Sequence, residues 1–174
     1  MLAIFQNLIQ MLIAISGLIA AIIALVSFKS TSKIRREIEK NHMYQQLELA
    51  SIDFFKWEAE NRKDLLNLKK EYPNDSDEDR KLVETYCTQA MNLFELCIHN
   101  EITKTLPDNV FGSWMPWIYE FAHEPGVDKM WSEIRLNYLP ECREVMDSAI
   151  KKKERNDFII EMCKKYSLKI EDWI

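Results

Sequence analysis

The stretch that decides how this chain is built is its beginning, MLAIFQNLIQMLIAISGLIAAIIALVSF, residues 1–28, in which no side chain carries a charge. A helix of that length rises about 42 Å, against a bilayer hydrocarbon core of about 30 Å, so the segment is long enough to span with room for tilt. About a dozen Leu, Ile, Val and Phe residues between Leu8 and Phe28, each worth roughly −0.3 to −0.6 kcal/mol on insertion, outweigh Gln10, Ser16 and Gly17. A cleaved signal peptide is the competing reading. It lacks support here, because no basic segment precedes the apolar run and no small-x-small site follows it.

Immediately after the span come Lys29, Lys33, Arg35, Arg36 and Lys40. The positive-inside rule then predicts a single-pass protein of the inner membrane with its C-terminal part in the cytoplasm. The same basic cluster, diluted by Glu37 and Glu39, would touch anionic headgroups only weakly. One face of the anchor differs from the rest: Ala3, Asn7, Gln10, Ala14, Gly17, Ala21 and Ala24 follow one another at alternating spacings of four and three. That is the seam of a left-handed helix pair or bundle. Small residues there let backbones approach and amides bond across helices, so a homo-oligomer is expected.

Beyond Phe28 lie 146 of the 174 residues and all 23 basic and 28 acidic side chains, a net charge of −5. That number of residues supports one ordinary core. The acidic balance argues against a nucleic-acid duplex as partner. Three glycines and five prolines leave little material for turns or phosphate cradles, so helices joined by short links are expected. The predicted fold is all-α: an anchor at 1–28, a juxtamembrane stalk helix at 29–72 and a helical bundle domain at 73–174. Within the stalk, Ile34, Ile38, Leu47, Phe54, Phe55, Leu65, Leu66 and Leu68 repeat at helical spacing, with a break allowed near Asn41–His42.

Pro73 stops that helix, and Asp75 or Ser76, followed by Asp77, Glu78 and Asp79, starts the next as N-cap and acidic first turn. The Asp-x-Asp-x-Asp spacing from Asp75 is no calcium loop, because Arg80 stands where the tight turn needs Gly and Tyr86 where a bidentate Glu is needed. Further helices are predicted to end near Asn100, to cover Val110–His123 with a kink or fresh start at Pro116, and to cover Val127–Tyr138, Pro140–Lys152 and Arg155–Lys165. The last is followed by a tail carrying Trp173. Cys87, Cys97, Cys142 and Cys163 follow no metal or redox spacing and sit among apolar neighbours, which predicts buried free thiols.

The order of Leu93-Phe94-Glu95, a Trp-rich helix, a Pro-Gly turn and Trp131-x-x-x-Arg135-x-x-Tyr138-x-Pro140 resembles a group of bacterial membrane-anchored helical proteins with no assigned activity. The resemblance covers roughly residues 30 to 150. It implies the architecture and no chemistry.

No catalytic pattern emerges. The three histidines form no H-x-x-x-H pair for a metal, and there is no nucleophile elbow or phosphate loop, so neither an enzyme nor a bound cofactor or metal is expected. His99 and His123 are read as helix-closing residues. The candidate ligand or partner site is Trp114, Trp117, Trp131, Arg135 and Tyr138, since aromatics beside an arginine stack planar ligands and hold anions. The plainer expectation for these residues is core packing, with Arg135 paired to Glu95 or Glu120. Two functions follow as expectations. One is an interaction module that self-associates through its anchor and binds a protein partner at the cytoplasmic face. The other is a ligand-sensing effector, possible in bacterial defence, whose soluble domain binds a small anionic or nucleotide signal and acts through the membrane bundle.

Overall fold

A computed structural model describes the backbone of residues 2–73, 76–107 and 109–173, and the side chains of these except at 2–9 and 12–14. Six helices follow one another: α1 (Leu2–Leu68), α2 (Asp77–Ile102), α3 (Val110–Ala122), α4 (Val127–Ile134), α5 (Pro140–Lys151) and α6 (Arg155–Tyr166). Short 3-10 turns lie at Lys69–Glu71, Arg135–Asn137 and Ile170–Asp172, and no strand occurs among the described residues. The chain divides into two compact units, Met1–Glu39 and Lys40–Ile174.

In the first unit α1 is apolar as far as Phe28, and its side chains from Ile15 to Phe28 are all exposed. By length and composition α1 is the one helix, among the described residues, able to cross a membrane, with a mean hydropathy of 1.7 over its most apolar window. Gly17 lies within the helix, and a Cβ placed there would meet no described atom within 4 Å outside the helix's own backbone. Of the expected seam, Ala3, Asn7 and Ala14 lie outside the described side chains, and Gln10, Gly17, Ala21 and Ala24 are exposed.

In the second unit α1 continues without a break through Asn41 and His42, because nothing there removes a backbone donor or adds glycine freedom. From Leu47 its face turns to the core: Leu47, Phe54 and Leu65 are buried, seven and eleven residues apart, so they stack on one side of the helix. Half of the helix expected as a stalk therefore supplies core residues. At its end the turn Lys69–Glu71 leads to Tyr72, whose ring is also buried.

Ser76 caps α2, its Oγ accepting from the Asp79 N–H at 3.3 Å, and Asp77, Glu78 and Asp79 meet the positive end of the helix dipole. Buried residues recur along α2 from Val83 to Glu101. At the centre of the unit stands α3, packed against α2, α5 and α6. Pro116 lies inside it, so of the kink or fresh start expected there the fresh start does not occur. The missing Pro116 donor would have bonded the Gly112 carbonyl. Gly112 is required where it stands: an added Cβ would fall 2.1 Å from Trp173 Cε2, so the C-terminal tail closes over this bare stretch of α3.

Gly126 opens α4 at φ 81°, in the left-handed region, and an added Cβ would stand 2.4 Å from the Lys69 carbonyl oxygen. The Pro-Gly turn thus fixes where the end of α1 touches the bundle. Pro140 occupies the first turn of α5, where its lack of a donor costs nothing, and the free Leu139 N–H donates to Glu95 Oε1 at 2.6 Å. The unit's core is rich in rings, with Tyr72, Tyr86, Phe94, Phe111, Phe121 and Phe158 fully buried.

Candidate functional site

Each candidate aromatic is positioned by its helix register. Trp114 and Trp117 lie three apart on α3 and their rings meet at 5.1 Å; Trp117 also contacts Phe94 at 4.7 Å, Phe55 at 4.9 Å and Phe54 at 5.7 Å. Trp131 and Tyr138 form a second group, with ring centroids 5.7 Å apart. Among the described residues no ring contact joins the two groups. The five candidate residues therefore fall into two places.

Trp114, Trp131 and Tyr138 are buried and Trp117 is half-buried. Burial pushes the Tyr138 hydroxyl up to about 12. Arg135 does not pair with Glu95 or Glu120. Its Nε and Nη2 both reach Asp147 on α5, at 3.0 and 2.5 Å, and the Trp131 indole donates to the same carboxylate at 2.9 Å. The Arg135 hydrogen bond holds the Asp147 carboxyl below the usual range, and the Trp131 donor adds to it. Glu95 is held by the Leu139 amide and Glu120 by Arg155 at 3.4 Å. The guanidinium that a ligand anion would need is already closed in a forked pair.

The four thiols are free and buried. Burial pushes Cys87 and Cys142 up to about 12, far from the thiolate a nucleophile requires. His123 follows α3, and its two ring nitrogens lie 2.9 Å from the Tyr119 carbonyl and 3.0 Å from that of Lys152, tying α3 to the α5–α6 link. Among the described residues no group of three His, Cys, Asp or Glu side chains is gathered as a metal site.

Two features escaped the reading of the sequence. The first is a partly buried charge cluster. Lys69 at the end of α1 donates to Glu124 at 2.5 Å and sits 4.3 Å over the Tyr86 ring, while the Tyr86 hydroxyl donates to the same carboxylate at 3.0 Å. Desolvation, above all, raises the carboxyl of the neighbouring Glu58. No local pattern signals this cluster, because its members come from separate stretches of the chain. The second feature is a set of hollows. A groove of about 530 Å³ between α1 and α2 is lined by Ala50, Phe54, Trp57, Leu93 and Leu96, and a cavity of about 430 Å³ lies where α2, α3 and α6 have their ends.

The class these features define is an all-α protein with an N-terminal helix able to cross a membrane and a ring-rich helical unit after it. No protein-family model, curated protein or solved structure matches the chain.

Proposed function

We propose that this protein is a membrane-anchored interaction module, which self-associates through the apolar part of α1 and presents its helical unit to a protein partner at the cytoplasmic face. The observation that carries the reading is the exposure of that helix: Leu18, Ile22, Leu25, Val26 and Phe28 are each more than half exposed, and none is covered by the described residues of the unit. Apolar surface on this scale belongs against lipid or another helix. The orientation rests on Lys29, Lys33, Arg35, Arg36 and Lys40, which follow the span.

Gly17 gives the test. Since a Cβ there meets no described atom within 4 Å outside the helix's own backbone, Gly17→Leu should act on associated copies and not on the protomer. The mass of the detergent-solubilised complex should fall in Gly17→Leu and stay unchanged in Ile22→Leu, off the seam. Equal masses for wild type and both variants would remove self-association through this face. The alternative of a nucleotide-sensing effector fits less well, because Arg135 is committed to Asp147.

A further inference from the structure

Where α1 belongs to the helical unit it carries two apolar faces. Leu47 and Phe54 are buried in the core, yet Leu49, two residues after the first, is 63 % exposed, and Ile52, two residues before the second, is 57 % exposed. Two residues are about 200° of turn in a helix, so the exposed pair stands on the side away from the core, where an amphipathic helix ordinarily carries polar groups. The pair also keeps the step of the anchor seam along the sequence. Counted on from Ala24 in the same alternation of four and three, the positions fall on Phe28, Thr31, Arg35, Ile38, His42, Gln45, Leu49 and Ile52. All eight are exposed, and α1 has no Pro or Gly after Gly17 to break the count.

What covers this face follows from its size and from its polar members. A partner arriving from solution needs about 800 Å² of contact on each side. A few apolar side chains spaced along one helix, with Thr31, Arg35, His42 and Gln45 among them, offer far less. A second copy already joined through the anchor needs less, because the tether raises its effective concentration to about the millimolar range. Identical helices side by side set each seam residue against its own counterpart. The Gln45 amide is both donor and acceptor and so can bond its own copy, while Arg35 keeps Glu39 at 3.4 Å within its own helix. After Ile52 the next position is Lys56, where like charges would face each other, so the contact ends there. We infer that a second copy of this chain packs on Leu49 and Ile52, parallel and in register, so that the pairing of copies continues along α1 outside the membrane. The inference rests on the self-association proposed above and extends it to a face of the helical unit.

Disulfide cross-linking in isolated membranes reads this face directly, since the four native thiols are buried and leave wild type as the blank. Leu49→Cys and Ile52→Cys replace exposed side chains, and a disulfide closes only where two Cβ atoms approach within about 4.5 Å. Under copper phenanthroline both should give a covalent dimer, at least about tenfold faster than Gln46→Cys, which is exposed about a quarter-turn off the stripe. Adding Gly17→Leu should slow the Leu49→Cys cross-link by a similar factor, because the tether is lost. The mass of the wild-type complex in detergent separates the two claims. A mass of more than one chain, with Leu49→Cys and Ile52→Cys no faster than Gln46→Cys, overturns this inference and leaves the anchor seam standing. A mass of one chain overturns both. An equal Leu49→Cys rate with and without Gly17→Leu would remove the tether from the contact and overturn the inference as well.

Discussion

Lys69 and Glu124 offer the sharpest test of how α1 is fastened to the bundle. The Lys69 side chain is 8 % exposed and its partner 28 %, with 2.5 Å between Nζ and Oε2. At an effective dielectric of 20, unit charges at that distance attract by about 7 kcal/mol, and desolvating the ammonium takes back several of these. The balance changes when one partner goes. Glu124→Gln leaves the ammonium buried, with only the Tyr86 ring and the half-buried Glu58 near it, and should cost about 3 kcal/mol. For a unit of this size that is a fall of about 10 °C in melting temperature. Lys69→Met keeps the stem packing and removes the charge that needs a partner, so it should cost only about 1 kcal/mol. The double variant should be more stable than the sum of the two, by about 2 kcal/mol. All five tryptophans lie after Lys40, so tryptophan fluorescence during denaturation of the full-length protein reports the helical unit and not the anchor. A Glu124→Gln variant within about 1 kcal/mol of wild type, or strict additivity in the cycle, would refute the fastening.

Two more measurements follow from the same geometry. The Glu58 carboxyl is raised, chiefly by desolvation, so its anion is disfavoured in the folded state; the deficit begins as pH rises past the ordinary value of 4.5 and is complete above the raised one. Glu58→Gln should therefore stabilise the protein at pH 7 and change little near pH 4, and a variant less stable than wild type at pH 7 would contradict the cause assigned. Arg135→Ala opens the pair with Asp147 and leaves that carboxylate with the Trp131 donor alone, so it should cost about 1 to 2 kcal/mol in a melt. A melting temperature unchanged or raised would instead mean that the guanidinium is held for a ligand.

The sequence by itself determined the helical class, the apolar N-terminal helix, the cap at Ser76, the tolerated Pro140 and most helix bounds, because these depend on hydropathy and on residues within one or two turns of each other. It also gave the burial of the four thiols and of most of the candidate aromatics, since apolar periodicity marks the face a helix hides. Periodicity does not say against what that face is hidden. Only the tertiary structure decided that Leu47, Phe54 and Leu65 of the long helix belong to the core, that Arg135 chooses Asp147 over Glu95 and Glu120, and that Lys69 meets Glu124 under the Pro-Gly turn. A carboxylate's partner is set by distance in space, falling off over a few ångströms, and residues 55 positions apart acquire that distance only when the helices pack. The cavity at the ends of α2, α3 and α6 is of the same kind, for its lining is assembled from two stretches of chain that share no local pattern.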